Sequence, residues 1–279
     1  MVQISPGSVT LGLSAAEALV DSVAPLHMQT ETPARRVSVT APFAVSSTEV
    51  TRGQFADFVA ATGHIADGCT IRMGSNWIYD ESASWRNPGF DQTDHHPVVC
   101  VSYEDAAAYA DWLRQRTLNP YRLITEVEWE YIARADAGTS TPWAEAAEQA
   151  CRHGNVAGAT FHRLYPSTPN SLTYSCDTGF AHTAPAGRFE VNPWGLYDLF
   201  GNARERITSC WTPDHKETVL PATSNNQMDC DVTIVKGGGW SDPPANLRVP
   251  RRLRALPTAR RADTGFRVVK ELGFRQEAE

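Results

Sequence analysis

The side chains of this sequence best suited to chemistry are six cysteines, Cys69, Cys100, Cys151, Cys176, Cys210 and Cys230. None forms the C-x-x-C pair that holds zinc, and the even count suits disulfides. Many connectivities are open; pairing neighbours, 69 with 100, 151 with 176 and 210 with 230, staples three separate long loops. The alternative is six buried thiols in a cytoplasmic protein. Bridges would imply an oxidising compartment, periplasmic or secreted, with an export signal already removed. The eight histidines are scattered, and His95 and His96 are adjacent, so they cannot share one helix face as an i, i+4 metal pair does. A histidine before proline, as at His96-Pro97, reads as structural. Glu126, Glu128 and Glu130 are spaced by two on a candidate helix, which turns them to different faces. They read as capping or structural acids rather than as an acid–base pair.

The elements that position these groups come from a chain of 279 residues that is 42% hydrophobic, enough to bury a full core and too apolar for disorder. Abundant aromatics among 19 Gly and 18 Pro point to a loop-rich fold with irregular backbone held by aromatic anchors. The net charge of −7 argues against nucleic acid as a partner. No apolar run approaches the ~20 residues that span a bilayer, and Met1 to Leu11 lacks a charged start followed by an apolar stretch.

Partial alternation predicts strands over Val2 to Leu13 and Arg36 to Val45. Thr51-Arg-Gly-Gln54 has capping-box form, with Phe55, Phe58 and Val59 on one helical face and Gly63 as the stop. Asp67 to Thr93 reads as a long ordered loop carrying Trp77, Tyr79, Trp85 and Phe90. Ser102 to Asp105 opens a second helix and Thr125 to Glu128 a third, after which helix signals stop. Short apolar runs at Thr233 to Val235 and Phe266 to Val269 read as core strands. The tail from Gly273 to Glu279 reads as frayed. No linker divides the chain, so the expectation is one α+β domain over residues 1–279, with short helices around small mixed sheets.

Several ordered segments resemble the formylglycine-generating enzyme, or sulfatase-modifying-factor, family, whose fold is a C-type lectin variant. They are Phe43 to Thr51, Gln54 to Gly63, His96-Pro-Val-Val, Val101 to Ala106, Arg122 to Tyr131, Asn192 to Glu205, Lys236-Gly-Gly-Gly-Trp240, and Gly265-Phe-Arg-Val268. The cysteine spacing also resembles bacterial members of the family. Formylglycine formation there uses two cysteines after the glycine turn, as thiolates that bind copper. Those positions here hold Asp242 and Leu247, and the turn serine is Gly239. A carboxylate and an aliphatic side chain cannot replace two thiolates, so neither formylglycine formation nor bound copper is expected. Ergothioneine-type sulfoxide synthases resemble this domain but take iron from an added helical bundle, which is missing. Periplasmic pyoverdine-maturation oxidases resemble the chain in length and do not need the cysteine pair, but supply no catalytic residue or redox cofactor that can be carried over.

The resemblance implies structural calcium at one or two loop sites, held by hard oxygen ligands. One would use the Asp198 and Glu205 carboxylates with the Gly201 and Ala203 carbonyls. The other would use Asn155, the Val156 and Phe180 carbonyls, and an acid at Asp177, or no acid where Thr178 aligns instead. Where the family carries aromatics this chain reads Ala203-Arg-Glu-Arg206. Arg204 and Arg206, with Arg248, Arg251, Arg252 and Arg254, are expected either to bind an anionic ligand by bidentate pairs or to brace loops against the acidic residues. Two functions follow as expectations. One is an exported oxidative tailoring enzyme with a peptide-derived or siderophore-like substrate, its cleft near Trp240, Asp242 and Arg251. The other is a non-catalytic, calcium-stiffened, lectin-like module that presents Trp77, Trp85, Trp240 and the arginines to a small-molecule, peptide or protein partner.

Overall fold

The computed structural model describes residues 1–20, 25–136, 139–143, 146–213 and 230–273. Each early alternating stretch becomes two strands, because a proline without an N–H interrupts it. Pro6 separates β1 (Val2–Ile4) from β2 (Gly7–Leu11), and Pro42 separates β3 (Arg35–Val39) from β4 (Phe43–Val45). Two helices lie between the stretches, α1 (Ala15–Val20) and α2 (Pro25–Glu31), which the sequence reading did not foresee.

The three predicted capping boxes form. They open α3 (Arg52–Thr62), α4 (Tyr103–Thr117) and α5 (Glu126–Arg134), where Thr51, Ser102 and Thr125 accept from the backbone three residues on and Gln54, Asp105 and Glu128 return the bond. Gly63 stops α3 at φ 68°, its N–H donating to the Val59 carbonyl.

Asp67 to Ser84 is a correction to the expected loop. It forms an antiparallel hairpin, β5 (Asp67–Met73) and β6 (Asn76–Ser84), turning at Gly74. A bulge between Asp67 and Cys69 breaks the register, so the polar, aromatic composition hid the alternation. Cys69 and Ile71 are nevertheless turned inward, and the Cys69–Cys100 bridge ties the hairpin to the segment before α4.

The remaining elements are β7 (Tyr121–Leu123), the short helices α6 (Ala150–His153) and α7 (Ala159–Leu164), β8 (Arg204–Cys210), β9 (Thr233–Lys236), β10 (Leu253–Ala255), β11 (Thr264–Phe266) and β12 (Val268–Glu271). The predicted runs at 233–235 and 266–269 thus lie in strands apart from Arg267, which separates β11 from β12, whereas α6 and α7 extend helix further than expected. The tail at 274–279 lies outside the described residues.

Two four-stranded sheets, ordered β1-β4-β12-β7 and β10-β9-β8-β11, organise the chain. β8 and β11 pair in parallel, with Arg204 opposite Thr264 and Arg206 opposite Phe266. One core gathers Leu11, Phe43, Trp129, Ile132, Phe200 and Ile234. A second packs Phe55 and Phe58 of α3 against Tyr109, Trp85 and Phe266. Burying each such ring is worth ~1.5–3 kcal/mol. The bridges Cys69–Cys100, Cys151–Cys176 and Cys210–Cys230 are all present, each between neighbours in the chain.

Candidate functional site

The three glutamates of α5 are all buried, and each is answered by a cation. Glu126 accepts from Arg252 Nε at 2.8 Å, Glu128 from Arg122 Nη2 at 2.6 Å, and Glu130 from Lys236 Nζ at 2.8 Å. Glu130 also accepts from the Gly12 backbone. Buried carboxylates require such partners, so α5 is a structural strut rather than an acid–base pair.

A second polar network runs through the Lys236–Trp240 turn. Gly237 and Gly238 have positive φ, and a Cβ on Gly239 would stand 2.8 Å from the Asp263 carbonyl, so this tight turn needs all three glycines. The turn delivers Asp242, 2% exposed, to Arg204, whose Nε and Nη2 donate to its two oxygens at 2.6 Å each. Asp242 also accepts from the Gly239 N–H and from Asn246 Nδ2. Asn246 Oδ1 accepts from Arg251 Nε, and Arg251 lies 3.5 Å from Glu31, which takes two donors from Arg248. The nearby carboxylates Asp242 and Asp263 hold the Arg204 guanidinium yet more firmly protonated than usual. Arg206 has no acid in this network; it donates to the Val101, Leu256 and Ala259 carbonyls, and burial lowers its pKa to about 10. Leu247 is fully buried against the glycine turn.

Trp240 is 1% exposed and donates from Nε1 to the Ala262 carbonyl. Its ring is enclosed by Trp77, Phe90, Phe161, Tyr165 and His182. His182 stacks on Phe90, shares a 2.7 Å hydrogen bond with the Tyr165 hydroxyl, and has its pKa lowered to about 4 by burial and the Arg72 charge. Of the six residues expected to bind substrate, Arg204, Asp242 and Arg251 are thus brought into one chain of contacts, Arg248 joins it through Glu31, and Trp240 and Arg206 are buried beside it. Arg251 also lines a cavity of about 510 Å³. Sequence reasoning did not single out Glu31, Asn246, Asp263 or His182; Glu31 lies 217 residues from Arg248, whereas Asn246 is only four and five residues from Asp242 and Arg251 and could have been found by its spacing.

The loop from Asp198 to Glu205 gathers three buried acids, Glu49, Asp198 and Glu205, around Arg267. Arg267 Nε donates to both Glu205 oxygens, at 2.8 and 2.7 Å, and Trp129 Nε1 donates to one of them. That leaves Asp198 Oδ1 and Glu49 Oε2 buried without a hydrogen bond of ordinary geometry, the two carboxyl groups lying close enough to interact with each other. Burial raises Asp198 to about 6, and burial with the neighbouring acids raises Glu49 well above its ordinary value. Two orphaned acid oxygens fit a divalent cation, although among the described residues no three acid, histidine or cysteine side chains converge to hold one alone. Backbone carbonyls such as those of Gly201 and Ala203 would have to complete the set. At the other place, Asp177 turns outward to the Thr160 and Gly179 N–H groups and Arg163, while the Thr178 hydroxyl lies 2.8 Å from Asn155 Oδ1 and 3.2 Å from the Phe180 carbonyl. With a hydroxyl between neutral oxygens and no carboxylate among them, that donor set does not fit a divalent cation.

Residues 1–272 match the family described as "Sulfatase-modifying factor enzyme 1-like domain". The chain belongs to this sulfatase-modifying-factor family. The formylglycine-generating enzyme of Mycobacterium tuberculosis is 30% identical over 88% of this chain and 90% of its own length. The "Inactive C-alpha-formylglycine-generating enzyme 2" of Bos taurus is 29% identical over 87% of this chain and 81% of its own. Among solved structures, PvdO from Pseudomonas aeruginosa superposes with a TM-score of 0.75 at 28% identity, covering 97% of this chain and 93% of that one. The mixed architecture of short helices and small sheets is therefore the sulfatase-modifying-factor fold. Among the described residues no helix is long and apolar enough to cross a membrane, and three disulfides suit an oxidising compartment.

Proposed function

We propose that this sulfatase-modifying-factor protein does not generate formylglycine and acts instead as an oxidative tailoring enzyme on a peptide-derived or siderophore-like substrate, in the periplasm or outside the cell. The observation behind this reading is the Arg204–Asp242 pair. It fills the position to which the family resemblance assigns the first copper-binding thiolate, and Leu247 fills the second. Neither side chain is a soft donor, and Asp242 already accepts from three partners. The likeness to PvdO at 28% identity and the resemblance to pyoverdine-maturation oxidases support the substrate class. Calcium at Asp198, with Glu49 beside it and the Gly201 and Ala203 carbonyls, would stiffen the loop that leads into β8.

The decisive assay incubates the protein with a cysteine-bearing sulfatase peptide, copper and oxygen, and reads aldehyde by mass. No aldehyde is expected, and its appearance would sink the reading. A second reading, a non-catalytic lectin-like binding module, is favoured by the relative described as inactive. Metal analysis of protein purified without chelator separates the two: stoichiometric iron favours the enzyme, and calcium alone favours the module.

A further inference from the structure

The cavity of about 510 Å³ lies between α2 and β10, with Trp211 and Pro213 on its far side. His27, Thr30, Arg251, Arg252, Leu253 and Arg254 contribute to its wall. The charges around it do not cancel. Arg252 is neutralised by Glu126 at 2.8 Å. Arg248 and Arg251 share the single carboxylate of Glu31, which Arg248 grips with two donors while Arg251 stands at 3.5 Å. One positive charge is therefore left over at Arg251, whose Nε and Nη1 are committed to Asn246 and the Arg252 carbonyl. Arg254 is exposed, stacks on the Trp211 ring at 4.3 Å, and has no carboxylate within ion-pair range among the described residues. Arg254, with no carboxylate in range among the described residues, and Arg251, which has only a share of Glu31, thus face one cavity in a chain whose overall charge is −7. Burial, and then the Arg251 and Arg248 charges, lower the pKa of His27 beside them.

We infer that this cavity binds an organic carboxylate, its oxygens taken by Arg251 and Arg254 and its carbon body resting on Trp211, Pro213 and Leu253. Guanidinium forks match carboxylate geometry with paired donors. A bare inorganic anion would satisfy the charges but leave the apolar wall in water. The inference goes beyond the proposed oxidation and does not rest on it, because binding is read without turnover.

The test titrates 2-naphthoate into the intact protein and follows indole quenching and heat. Saturable binding is expected, weakened at high salt and weakened roughly tenfold or more by Arg254→Gln. Naphthalene-2-methanol, the uncharged analogue, should bind at least tenfold more weakly, and inorganic phosphate should not compete at matched concentration. Among the described residues the Arg254 side chain makes no hydrogen bond and stacks on Trp211, so R254Q should keep the parent melting temperature, and Arg254→Lys should bind with intermediate strength. Absence of saturable binding, equal affinity for the alcohol, competition by phosphate, or unchanged affinity in R254Q would each overturn the assignment.

Discussion

Arg204 holds Asp242 by two parallel N–H donors, each 2.6 Å from a carboxylate oxygen, across 38 residues of sequence. The Asp242 side chain is 2% exposed and that of Arg204 15%, with Asp263 3.6 Å from the same guanidinium. Removing one partner of such a pair strands the other. Arg204→Met or Asp242→Asn should each cost on the order of 3 kcal/mol in denaturant unfolding. The double variant should lose about 1–3 kcal/mol less than the sum, because the stranded charge goes with its partner.

Protonation of His182 should limit acid stability. Its folded pKa is about 4 against an ordinary 6.5, so between these values the unfolded chain binds a proton that the native ring refuses. The contribution is present above pH 6.5 and is lost as pH falls toward 4, on the order of 2–3 kcal/mol in all. His182→Gln should flatten the stability profile in that window, as read by melting at stepped pH. An unchanged slope would refute the assignment. His27, His96 and His153 are shifted the same way, which is why the single variant is needed.

Reduction should add six hydrogens to the intact mass, two for each bridge between Cys69 and Cys100, Cys151 and Cys176, and Cys210 and Cys230. The sequence separations are 31, 25 and 20 residues, so each bridge stabilises by about 3 kcal/mol in the chain-entropy account. The melting temperature should fall sharply with reductant.

Calcium should raise the melting temperature by several degrees at concentrations well above its dissociation constant. Asp198→Asn should abolish the response, and Asp177→Asn should leave it intact, since Asp177 is turned toward Arg163 and the Thr160 N–H.

Two glycines separate crowding from backbone conformation. A Cβ on Gly154 would stand 1.8 Å from the Phe200 carbonyl, whereas one on Gly63 meets nothing within 4 Å but sits at φ 68°. Gly154→Ala should therefore cost about 3 kcal/mol or more, and Gly63→Ala only about 1 kcal/mol.

What could be read from residue order alone was what local chemistry encodes. Thr51, Ser102 and Thr125 announce their helices because the capping partner is three residues away. The β5–β6 hairpin escapes a reading by alternation because Gly68 and the bulge beside it break the pattern that marks a strand. Arg206 and Arg204 look alike in sequence. One spends its donors on backbone carbonyls and the other meets Asp242, although both lie on β8. Glu31 leaves no trace in the sequence, since only the folded chain brings it across 217 residues to Arg248.

β4 lies between β1 and β12, so that Val45 faces Val2 on one side and Val269 on the other. With strands ~4.8 Å apart, Val2–Ile4 and Val268–Glu271 lie only about 10 Å from each other. During synthesis this sheet cannot close until the final strand leaves the ribosome, and the naked rim of β4 is the surface a chaperone would have to shield. A short tether between these two strands would therefore bridge a gap of two strand spacings, and a cut at Gly74, in the turn of the β5–β6 hairpin, would leave this sheet whole.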